Sequence, residues 1–68
     1  MSEAWVRQIF GAEAANRGGV LRRAVHTVER FSSQEEVRLE VVRRGFHMVR
    51  SGEQYLILCN RGQFKVIC

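Results

Sequence analysis

The segment Val20-Leu21-Arg22-Arg23-Ala24-Val25-His26-Thr27-Val28-Glu29-Arg30 admits two readings, and the fold turns on which one holds. Leu21, Ala24, Val25, Val28 and the following Phe31 fall at the i, i+3, i+4, i+7 spacing of a buried helical face. Val20, Val25, Thr27 and Val28 are β-branched and favour a strand, where a stiff χ1 costs less. The segment follows Gly18-Gly19, which interrupts any helix arriving from upstream. The double glycine weights the reading toward an extended segment that starts at Val20.

Upstream, residues 3–16 read as a helix. Trp5, Ile9, Phe10 and Ala12 supply an apolar stripe, and the alanines at 12, 14 and 15 are strong helix formers. Gly11 weakens it, and Asn16-Arg17-Gly18 provides an exit with a glycine suited to the left-handed C′ position. The aromatic stripe reads as core or subunit interface rather than a base-stacking platform, because aromatics carry much of the buried area of a small domain.

Downstream, residues 33–44 carry helix punctuation at both ends. Ser33-Gln34-Glu35-Glu36 is a capping box, acids fill the first turn, Arg43 and Arg44 fill the last, and Gly45 ends it. Glu40 and Arg44 form an i, i+4 pair. The alternation of Val37, Leu39 and Val41 argues for a strand instead, but cap, charge order and glycine outweigh it. The last third reads as a three-stranded antiparallel meander: residues 46–50, a turn at Ser51-Gly52-Glu53, a central strand at 54–59, a turn at Asn60-Arg61-Gly62, and a third strand at 63–68. The fold class expected is therefore α+β, in the order helix, extended segment, helix, meander, as a single domain over 1–68.

Size and composition narrow the function classes. The chain has 68 residues, 46% hydrophobic, a net charge of +4, no Pro and no Asp. All its acids are Glu, and Lys65 is the one base that is not Arg. A core this small needs a staple or a second subunit. Cys59 and Cys68 allow one bridge at most, and Arg7 interrupts the only early apolar stretch, so no secretory pattern is present. Free thiols in a reducing cytoplasm are expected, and with them a homo-oligomer, most simply a dimer. The apolar stretch Val66-Ile67-Cys68 is expected to be tied into a sheet or a partner. The longest apolar run, Tyr55 to Cys59, is far below the length that spans a membrane, so no membrane partner is expected.

The chemistry-bearing residues point nowhere sharply. His26, His47, Cys59 and Cys68 lack the spacing of metal ligands, and no catalytic, metal or cofactor-binding residue, small-molecule ligand or cofactor is indicated. Without Asp there is no Ser-His-Asp set, and no local motif joins either cysteine to a histidine.

Several stretches carry a resemblance. Trp5 to Ala12, Gly18-Gly19-Val20-Leu21-Arg22-Arg23, Val28-Glu29-Arg30, Val42-Arg43-Arg44-Gly45-Phe46-His47, Gln54 to Gly62 and Ile67-Cys68 resemble a family of alphaproteobacterial proteins of about this size. The likeness covers most of the chain. Members are sometimes labelled N-(5′-phosphoribosyl)anthranilate isomerase, so the resemblance implies that activity as a third possibility. The activity belongs to a (β/α)8 barrel, which needs roughly 200 residues or more. Its chemistry also needs an Asp acid, which this chain lacks.

The basic residues raise a nucleic-acid reading. Arg22, Arg23, Arg43, Arg44, Arg50 and Arg61 are the candidate contacts, at a sequence pI near 10.0. A winged-helix arrangement would use helices at 3–17, 20–31 and 33–44 and a wing from 46–50 and 54–59. Glu residues interspersed with the arginines break any single-sign stripe, so such binding is expected to be weak and electrostatic. The leading expectation is a self-associating interaction module, with the basic regulator as the alternative.

Overall fold

A computed structural model describes residues 2–68. The order of elements is α1 (Glu3–Ile9), α2 (Glu13–Asn16), β1 (Val20–Ala24), α3 (Val25–Phe31), α4 (Gln34–Arg44), β2 (His47–Ser51) and β3 (Gln54–Leu58). The class is α+β: helices pack on one face of a three-stranded antiparallel sheet of order β1-β3-β2.

The segment 20–30 is strand and helix in turn. Val20–Ala24 pairs with β3, with Leu21 opposite Ile57, and the chain turns into α3 at Val25. Ala24 offers no side-chain cap. Instead Val25 N–H donates to the Glu53 carbonyl at 2.9 Å, so the tip of the β2–β3 hairpin holds the start of α3. The two readings of the segment each hold for half of it. Leu21 points to the core by strand alternation, and Val25 and Val28 reach the same core from a helix.

The predicted first helix is two. After Ile9 the chain closes with Phe10 N–H to Arg7 O and Gly11 N–H to Gln8 O, Ala12 is extended, and α2 adds one turn. Gly18, at φ +75°, and the Gly19 N–H bond to Ala14 O at 2.7 Å end it as expected. The Gly19 carbonyl then accepts from Cys59 N–H, extending the β1–β3 ladder by one step.

α4 forms as the punctuation dictates. Ser33 Oγ accepts from Glu36 N–H at 3.1 Å. The Glu36 carboxylate does not complete the reciprocal half of the box; it accepts from Ser2 Oγ, tying the start of α1 to the start of α4. At the other end Phe46 N–H donates to Val41 O and Gly45 N–H to Val42 O, a Schellman closure with Gly45 at φ +75°.

The meander differs from expectation in its third strand. β2 and β3 form the hairpin, with Ser51 opposite Gln54 and Gly52 at φ +61° in the two-residue loop. Residues 63–68 form no strand; β1 takes the free edge of β3 instead. At 60–62 the chain bends through Gly62 N–H to Asn60 Oδ1, without positive φ.

One core results, with Tyr55, Ile57, Val28, Val37 and Val41 its most enclosed side chains. The buried Tyr55 hydroxyl donates to Gln34 Oε1 at 2.8 Å, so its polar end is satisfied at the start of α4. By register, Leu21, Met48, Tyr55 and Ile57 face the helices. Val20, Arg22, His47, Val49, Leu56 and Leu58 share the open face. His47 there donates to the Gly62 carbonyl and packs on Phe64, 5.0 Å between ring centroids.

Gly45→Ala is expected to cost about 1–2 kcal/mol, since an alanine strains the left-handed conformation and its β-carbon would lie 3.3 Å from Arg61 Cγ. Gly62→Ala, at ordinary φ, should be close to neutral. Urea unfolding of the two variants checks both; equal midpoints would contradict the role of the left-handed cap.

Candidate functional site

The six candidate arginines occupy separate places. Arg22 and Arg23 lie on edge strand β1, Arg22 on the open face and Arg23 on the helix side, near Trp5 and Gln8. Arg50 lies on the opposite edge strand, held by the Gly52 carbonyl and Glu53. Arg43 and Arg44 share Glu40 in the last turns of α4, and Arg61 Nε donates to the Arg44 carbonyl at 3.3 Å. Arg44 also lies over the Phe10 ring, 4.6 Å from its centroid.

Most of the charges of α4 are paired within α4; Glu36, bonded to Ser2 Oγ, is in no ion pair among the described residues. Glu40 accepts from Arg43 Nε at 3.0 Å and from Arg44 Nε at 2.6 Å. These two guanidiniums hold its carboxyl at about 2, against an ordinary 4.5, and outweigh the opposing effect of its burial. Arg38 makes a two-pronged bond to Glu35, 2.9 and 2.7 Å, which lowers the Glu35 carboxyl below its ordinary range. Among the described residues Arg22, Arg23, Arg30, Arg61 and Lys65 make no ion pair.

The outward face of α4 is apolar at its middle. Val37 and Val41 point into the core, and at 100° per residue this turns Glu35, Leu39 and Val42 to the opposite side. Leu39 is 54% exposed and Val42 60%. Beside this stripe an open groove of about 440 Å³ runs between α1 and α4, lined by Glu3, Val6, Arg7, Leu39 and Arg43 among others. In the sequence Leu39 belongs to a strand-like alternation with Val37 and Val41, which does not single out this face. The helical phase set by Val37 and Val41 is the signal that finds it.

A second feature, half-buried at Trp5 and exposed at Phe31, joins α1 to α3. Trp5 stacks on Phe31, 5.4 Å between centroids and 22° between planes, and Arg30 lies 5.5 Å from the Phe31 centroid. A third is the segment 63–68, where Phe64, Val66 and Ile67 are all exposed, Ile67 to 90%.

Cys59 is buried in the core with Sγ directed at the Ile57 carbonyl, and burial pushes its thiol up. Cys68 is exposed and the two are unbridged. His26 and His47 are on different elements, and among the described residues no group of three or more His, Cys or Glu side chains gathers as a metal site would. Among the described residues no helix is long and apolar enough to cross a membrane. Comparisons with protein-family models, curated proteins and solved structures find no match.

Two outcomes follow from this geometry. Because the folded pKa of Glu40 is depressed, its stabilisation is present above its unfolded value near 4.5 and is lost as pH falls from there toward 2. With Arg43 largely in solvent the loss should be on the order of 1 kcal/mol or less. It is read as the urea midpoint from pH 5 to pH 2.5 and should be absent from Glu40→Gln; an identical acid profile in that variant would contradict it. The thiols should also divide under Ellman's reagent at pH 8. Cys68 reacts at once and Cys59 only after denaturation, because the reactive thiolate is disfavoured in the core. Fast reaction of both in the native protein would show that Cys59 is accessible.

Proposed function

We propose that this chain is a small self-associating protein-interaction domain, and that its contact surface is apolar rather than basic. The observation that carries the reading is the outer face of α4, where exposed Leu39 and Val42 lie between charges that are, Glu36 apart, paired within the helix.

The order α1-β1-α3-α4-β2-β3 with sheet order β1-β3-β2 is the connectivity of a winged helix-turn-helix. The expected winged arrangement put 20–31 wholly in helix; the strand at 20–24 brings the chain nearer that connectivity. A fold does not carry its function with it. In such domains the second helix of the pair reads bases from its N-terminal end. Here that end carries Glu35 and Glu36, which a polyanion would repel, and the guanidiniums of Arg43 and Arg44 already serve Glu40.

Two unbridged thiols support a reducing, cytoplasmic setting.

A second reading has one observation in its favour. Half-buried Trp5 stacks on exposed Phe31 beside Arg23 and Arg30, neither in an ion pair, which is a chemistry suited to single-stranded nucleic acid. Sedimentation equilibrium at about 100 μM, where an obligate dimer is populated, together with oligonucleotide anisotropy at about 150 mM salt, where exposed charges are screened, separates the two. The interaction reading expects twice the chain mass and no oligonucleotide binding. A monomer that binds single strands at that salt, and loses the binding on Trp5→Ala, would replace it with the second reading.

A further inference from the structure

The exposed stripe of α4 has a property that selects its partner. Its acids, Glu35 and Glu36, lie in the first turn, and its exposed Arg43 lies in the last, with Leu39 and Val42 between them. We infer that this face docks against the same face of a second copy of the chain, with the two α4 helices antiparallel about a two-fold axis between Leu39 and Val42.

This deepens the self-association reading and rests on it. A two-fold contact must be self-complementary, each patch meeting its own image. A parallel pairing would set acids on acids and arginines on arginines. The antiparallel pairing sets Glu36 of each copy beside Arg43 of the other, opposes the two helix dipoles, and brings Leu39 of one copy over Val42 of the other. Glu36 and Arg43 suit this because they fall on the same flank of the stripe, about 80–100° round from Glu35 at 100° per residue. Glu40, on the far side of that flank, is only 17% exposed and keeps its bonds to Arg43 and Arg44, so Arg43 enters the contact already oriented. Val6 and Arg7 line the groove beside the stripe and would border the contact. The other exposed apolar places lack such symmetry: residues 63–68 carry a single charge, Lys65, and Trp5 and Phe31 satisfy each other.

The test is a charge exchange read by sedimentation on the full chain. Glu36→Arg and Arg43→Glu should each weaken self-association, by about tenfold or more, because each homodimer then holds two like-charge contacts. An equimolar mixture of the two variants should recover the dimer, since each cross-contact again joins opposite charges. A change that merely damaged the fold of either chain could not be rescued this way. Leu39→Glu, at an exposed position that leaves the core intact, should abolish the dimer while the circular dichroism of the fold remains. If the wild-type chain is a monomer, the self-association reading itself falls. If it is a dimer that Leu39→Glu leaves intact and that the variant mixture does not restore, while Ile67→Glu dissociates it, the reading stands and the α4 contact is wrong.

Discussion

β3 is bonded on both edges, and it places the two flanking strands and the α3–α4 pair. Its Tyr55 and Ile57 are almost wholly enclosed and lie in one core with Val28 of α3 and Val37 and Val41 of α4. The hydroxyl of Tyr55 reaches Gln34, which sets where α4 begins against the sheet. The loop before β3 supplies the Glu53 carbonyl that receives the first amide of α3. A strand that is apolar toward the helices and hydrogen-bonded on each side thus fixes the helix pair from two directions.

The proposed contact surface follows from the phase of α4 that this packing imposes. With Val37 and Val41 turned inward, Leu39 and Val42 are left more than half exposed. The helix carries three acids and three arginines, and it spends them mostly on itself through Glu35–Arg38 and Glu40 with Arg43 and Arg44. A chain of net charge +4 therefore presents a nearly neutral, apolar helix face, while its unpaired arginines lie elsewhere. Exposed apolar side chains gathered on one element mark a contact surface more clearly than overall charge does.

Much of this was legible in the sequence where local chemistry decides. The Ser33 cap, the glycine at 45, the Glu40–Arg44 pair, the Gly52 loop and the central strand at 54–58 all follow from side-chain and backbone preferences within a few residues. What was not legible depended on distant partners. The switch at Val25 has no local cap, because its amide is satisfied by Glu53. Residues 63–68 alternate as a strand does, yet the edge of β3 they would have used is taken by β1. The six arginines could not be sorted until Arg22 and Arg50 were found on opposite sheet edges. The Leu39–Val42 stripe was hidden because the alternation of Val37, Leu39 and Val41 looks the same in a strand, and only the helical phase separates inward from outward.

The most direct measurement is an isotope-filtered NOE spectrum of a dimer assembled from equal parts labelled and unlabelled chain. It reports contacts between copies alone. The α4 account predicts intermolecular NOEs between the methyl groups of Leu39 and Val42. Intermolecular NOEs confined to Phe64, Val66 and Ile67, with Leu39 and Val42 silent, would contradict it.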